Sequence, residues 1–109
     1  MTYQDLQTLA ASVGLETAYY QFEDGTGREP PFLVWHIPSN NDMYADNINY
    51  QEIPHVVFEL YTKYKDFELE NRVEDILTGA DLSYTKQESD IDSEHMHLTI
   101  YEFETIITR

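Results

Sequence analysis

With 109 residues, the chain has room for one hydrophobic core and not for two. Apolar residues make up 41% and aromatics 14%, which excludes a disordered tract and favours a packed single domain over residues 1–109. Asp and Glu number 21 against 6 Lys and Arg, a net charge of -15, and the six cations (Arg28, Lys63, Lys65, Arg72, Lys86, Arg109) are scattered. Specific binding to nucleic acid or to an anionic membrane is therefore disfavoured, because both need clustered cations. The absence of cysteine excludes disulfides, thiolate chemistry and cysteine-based zinc sites. No run of about 18 apolar residues occurs, and the first residues lack a basic stretch followed by an apolar one, so neither a membrane span nor an export signal is expected.

Thr2 and Asp5 form an approximate capping box, and Leu6, Leu9, Ala10 and Val13 repeat at helical spacing, predicting a first helix from Tyr3 to Val13 that stops at Gly14. Glu16 to Phe22 is β-branched and aromatic and reads as a strand. Gly25, Gly27, Pro30 and Pro31 then interrupt regular structure, which suggests a hairpin tip or loop. Phe32 to Ile37 is apolar on both alternating faces, as a central strand would be, with Trp35 assigned to the core and Pro38 as its end. Ser39 to Asn47 is a polar loop in which Met43 and Tyr44 stand among Asn and Asp.

Ile48 to Thr62 reads as one strand, with Val56, Phe58 and Leu60 on one face and His55, Val57, Glu59 and Tyr61 on the other; Pro54 marks a bulge or the start of its well-paired part. Asp66 caps a second helix. Leu69, Val73, Ile76 and Leu77 are its buried stripe, Glu68 and Glu70 occupy its positive first turn, and Glu68 can pair with Arg72. Leu82 to Ser89 reads as a polar edge strand, Asp90 to Glu94 as an acidic turn, and His95 to Thr108 as an internal strand.

The resulting order is α-β-β-β-α-β-β: an α+β two-layer domain with a mainly antiparallel sheet and two helices on one face. The other face keeps aromatics and is expected to be covered by a neighbouring subunit.

No residue set carries recognisable chemistry. His95 and His97 fall on the same face of a strand, with Asp90, Asp92 and Glu94 nearby, but the spacing is weakly specific, and the acidic turn lacks the glycine and final glutamate of a calcium loop. Gly25 and Gly27 mark a turn and not a phosphate cradle. No catalytic residue, cofactor or metal is therefore expected, and a small enzyme or metal-binding domain ranks third among the readings.

The Tyr19 to Trp35 stretch, Ala45 to Asn47, Glu59 to Thr62, the helix from Glu68 to Leu77 and the closing Tyr101 to Glu104 resemble the small tail-completion proteins of siphophages and prophages of Gram-positive bacteria. These are tail terminator, or tail-to-head joining, proteins. The resemblance runs from about Tyr19 to Glu104. It implies a subunit of a ring, commonly a hexamer, that caps the head-proximal end of the tail tube and docks it to the head connector. It implies as partners the chain itself, the tail tube protein and the head-tail connector protein, and as location the virion, after assembly in the host cytoplasm. No catalytic residues transfer.

An acidic wall suits a channel that DNA must cross without sticking. Met43, Tyr44, Asp46 and Asn47 are the expected contact residues with a neighbouring subunit or another tail protein. The alternative is an acidic DNA mimic that inhibits a basic host enzyme.

Overall fold

The structure, a computed structural model, describes residues 1–22, 29–45 and 48–108. Helix α1 spans Tyr3–Ala11, and its capping box is closed both ways: Asp5 N donates to Thr2 Oγ1 at 3.0 Å, and Thr2 N to Asp5 Oδ2 at 2.9 Å. The bond from the Thr2 amide, with the Thr2 side chain beside it, holds the Asp5 carboxyl below the usual range. The helix ends two residues before the expected Val13. Ser12 turns its hydroxyl back to the Leu9 carbonyl, and Gly14 takes the left-handed conformation at φ +86° that leads the chain away.

Strand β1 (Glu16–Tyr19) stops where Tyr20 enters the left-handed region at φ +71°. It pairs in parallel with β2 (Phe32–Asn40), Glu16 opposite Phe32 and Tyr19 opposite Trp35. Of the two readings of the Gly and Pro stretch, hairpin tip or loop, the hairpin tip is excluded, since a tight turn joins only antiparallel neighbours; most of the stretch, 23–28, lies outside the described residues. Pro38 does not end β2. Its register against β5 shifts between His36 and Ser39, and this irregularity takes up a residue with no amide hydrogen to give to the ladder.

The expected single strand from Ile48 to Thr62 is two. Strand β4 (Ile48–Gln51) folds back on β3 (Met43–Ala45) as a two-stranded sheet, and β5 (Pro54–Thr62) begins at the proline and enters the main sheet. The polar loop after β2 is thus partly a hairpin. Helix α2 (Phe67–Gly79) is capped by Asp66, whose side chain accepts from Leu69 N at 3.1 Å. Strand β6 (Thr85–Ile91) and a 3-10 turn (Asp92–Glu94) lead into β7 (Met96–Glu104).

The main sheet has the order β1-β2-β5-β7-β6, antiparallel except for its first pair, so the domain is α+β. Strand β6 is an edge and β7 is internal, both as expected.

One face carries Leu33 and Trp35, Val56, Phe58 and Leu60, and Tyr101 and Phe103 against Leu6, Ala10 and Val13 of the first helical segment and Leu69, Val73 and Leu77 of α2. Trp35 meets Tyr19 edge-on at 4.7 Å and is core, as expected. On the opposite face Phe32 stacks on Tyr61 at 4.8 Å, with Phe22 edge-on to Phe32 at 5.5 Å. Phe32, Val34 and Val57 are buried. Among the described residues the large exposed side chains are Tyr3 on α1, Phe67 on α2, and Tyr19, Tyr20, Met43, Tyr44, Tyr64 and Ile106.

Candidate functional site

Three features stand apart from the core. The first is the arm formed by β3 and β4, which extends β2 and β5 beyond the main sheet. Its base is fastened on both sides. Asn41 N donates to Ile53 O at 2.7 Å, Ile53 N to Asp42 Oδ1 at 2.8 Å, and the Asn40 side chain to the same carboxylate at 3.1 Å. Glu52 forms a bridge with Ile107, whose amide donates to the Glu52 carbonyl at 2.8 Å, and the Tyr3 hydroxyl donates to the Glu52 carboxylate at 2.8 Å. On this anchored arm Met43 is 53% and Tyr44 72% exposed. Asp46 and Asn47, the other two expected contact residues, lie outside the described residues.

The second feature is the other end of β5. Tyr64 and Phe67 are 71% and 70% exposed, and the Lys65 ammonium lies 4.8 Å from the centre of the Phe67 ring. Beside them, Pro30, Pro31, Thr62, Lys63, Tyr64 and Asp66 line an open hollow of about 270 Å³. Lys63 is 64% exposed, and the carboxylate of Glu29, 3.9 Å away, is itself 90% exposed. Such an exposed pair contributes little to stability.

The third feature is a buried charge network that was not legible in the sequence. Glu70 lies in the first turn of α2, but it is 1% exposed. Its Oε1 accepts from Lys65 and from Lys86, each at 2.8 Å, and Thr99 Oγ1 lies 3.4 Å from its Oε2. Lys86 also donates to Glu74 at 2.8 Å, and Glu74 accepts from the Tyr101 hydroxyl at 2.8 Å. Lys65 reaches on to Glu88, and His97 places Nδ1 2.7 Å from Asp90 and Nε2 3.1 Å from Glu88.

The titrating groups respond accordingly. Hydrogen bonds to Glu70 and Glu88 raise the Lys65 ammonium. Burial pulls Lys86 down, but Glu70 and Glu74 outweigh it and raise the group. Burial raises Glu74, yet Lys86 and Tyr101 bring it below the usual carboxylate range. Burial, with Glu74 beside it, pushes the Tyr101 phenol up.

The signal for Glu70 was its position: residues 70, 73 and 77 are spaced like the stripe itself, so a helix with that stripe turns residue 70 inward. The expected Glu68–Arg72 pairing is not what occupies the guanidinium, since Arg72 Nη1 donates to the Val13 carbonyl at 2.9 Å.

The structure also separates His95 from His97. His95 precedes β7 in the left-handed conformation at φ +54° and is exposed, whereas His97 sits on the strand and is buried. Among the described residues, Glu70, Glu88 and His97 converge as metal ligands could: their ligand atoms lie within 4.8 Å of one another. The ammonium of Lys65, bonded to both glutamates, already supplies the cation there. The arrangement ties α2 to β6 and β7 by charge.

In comparisons with known proteins, no family model matches the chain and no curated protein is significantly similar to it.

Proposed function

We propose that the chain is a structural subunit of a tail-completion ring in a siphophage-type virion, capping the head-proximal end of the tail tube and joining it to the head connector. The observation that carries this reading is the fastened arm that holds Met43 and Tyr44 in solvent beyond the sheet. A large aromatic and a methionine held outward on an anchored element are costly to leave wet and suit a contact with another chain. The resemblance of the Tyr19 to Glu104 sequence to tail terminators suggests the kind of contact.

The charge supports the same reading. Several copies at -15 each make a negative ring, which repels DNA passing through and does not hold it. Glu70, Glu74, Glu88 and Asp90 are engaged by Lys65, Lys86 and His97, so fewer carboxylates remain for the phosphate-like array that the alternative, a DNA mimic, would need. Assembly would occur in the host cytoplasm, with the tail tube and connector proteins as partners and no cofactor.

Tyr44→Asp tests this. The variant is expected to keep its circular dichroism spectrum and to leave tails unjoined to heads, because a charge at the contact is desolvated without a partner. Normal virions carrying this substitution would contradict the role.

A further inference from the structure

We propose that Glu70, Glu88 and His97 bind one first-row divalent cation of the zinc type, with Lys65 as a displaceable placeholder at the same spot. The site stands whether or not the chain forms a ring, and the ion in it is structural. The three side chains come from α2, β6 and β7, and their ligand atoms lie within 4.8 Å of one another. One imidazole with two carboxylates is a donor set that suits zinc, whereas calcium and magnesium prefer oxygen throughout.

His97 is 9% exposed, and both of its ring nitrogens face carboxylates: Nδ1 lies 2.7 Å from Asp90 Oδ1 and Nε2 3.1 Å from Glu88 Oε1. A neutral imidazole has one N–H, and an ionised carboxylate only accepts. With that hydrogen on Nδ1 and given to Asp90, the closer partner, Nε2 turns a buried lone pair toward the Glu88 carboxylate. Two lone pairs facing each other at that range call for a cation between them. A carboxylate that fixes the tautomer through the other ring nitrogen, as Asp90 does, is also what supports histidine ligands in metal sites. Two ligands on a tetrahedral ion stand about 3.3 Å apart when each bond is about 2.0 Å, close to the 3.1 Å between Glu88 Oε1 and His97 Nε2.

Charge favours the same occupant. Glu70, Glu74, Glu88 and Asp90 share Lys65 and Lys86, which leaves two negative charges uncompensated when the imidazole is neutral, the charge of one divalent ion. Lys65 is bonded to Glu70 and Glu88, but its side chain is 30% exposed and its ammonium already lies 4.8 Å from the centre of the Phe67 ring. It can give way to an ion and stay beside the cluster over that ring. The side chains of Glu88 and Asp90, 44% and 73% exposed, leave a way in from solvent.

The test is calorimetric titration of the untagged, chelator-treated chain with zinc chloride at neutral pH, on variants checked for native circular dichroism. One tight equivalent is expected above weak binding to surface carboxylates. His97→Gln should abolish it, and Asp90→Asn should weaken it about 10- to 100-fold, as loss of a supporting carboxylate does. Lys65→Met removes the competing cation and should tighten binding, a gain that misfolding would not produce. His55→Gln should change nothing: His55 also faces two carboxylates, but Glu102 and Glu104 approach different ring nitrogens. Zinc should also slow hydrogen exchange along β6, because the ion ties this edge strand to α2 and β7.

No tight equivalent in the wild-type chain would overturn the site, even if Lys65→Met bound zinc, because Lys65 would then be the permanent cation. Binding that survives His97→Gln, or that calcium or magnesium displaces equally, would overturn it too, as the mark of generic attraction to an acidic surface.

Discussion

Glu70 is the residue on which the local charge balance turns. A carboxylate with 2% of its side chain exposed needs partners, and Lys65 and Lys86 supply them from the β5–α2 connection and from β6. Lys86→Met removes one of the two and leaves Glu70 and Glu74 short of a donor, so a loss on the order of 1.5–3 kcal/mol is expected in urea unfolding, with the slope unchanged.

The pH dependence follows in sign. Lys65 and Lys86 are raised from 10.5, so their contribution is complete below that value and is lost as pH rises through the raised ones. Glu74 and Glu88 are lowered from 4.5, so theirs is complete above 4.5 and is lost as pH falls through the lowered ones. The overall charge works the other way on the acid side, because self-repulsion eases as pH approaches the isoelectric point near 4.2. The test is therefore the difference in melting temperature between wild type and Lys86→Met. It should be constant from about pH 6 to 9 and shrink above pH 10.5. A difference independent of pH throughout would contradict the network.

At the scale of elements, the arm is the feature whose order depends on few bonds. Asp42 holds the Ile53 amide, so Asp42→Ala should speed hydrogen exchange at Ile53 by about tenfold, as losing one net hydrogen bond of about 1.4 kcal/mol would, while helix amides in α2 stay protected. Equal acceleration in α2 would mean that the arm and the core open together.

The arm was also where sequence reading stopped. Alternation identified the faces of β5, and Thr2, Asp5 and Asp66 announced their helix starts, because caps and periodicity are local signals. Residues 48–62 are strand-like throughout, and the break at Glu52 comes from its bridge to Ile107, which lies 55 positions away in sequence. The parallel pairing of β1 with β2 was likewise hidden, since glycine and proline in the loop signal a turn but not the direction in which the chain returns. Tyr44 could be singled out as an apolar ring among polar neighbours; the end bearing Tyr64 and Phe67 could not, because its exposure depends on which way α2 turns its first residue.

At the scale of the whole molecule, dimensions of 50 × 29 × 22 Å and a net charge of -15 describe an elongated acidic chain, and a ring at a head-tail junction is the role proposed for it. In the proposed ring, repulsion between like-charged copies has to be overcome by a few desolvated contacts, of which Tyr44 is the proposed one.

The most direct measurement is negative-stain microscopy of particles from a phage strain lacking this chain. The account predicts aberrant or overlong tails unattached to filled heads, restored to complete virions when the wild-type chain is supplied. Complete, infectious particles in its absence would contradict it.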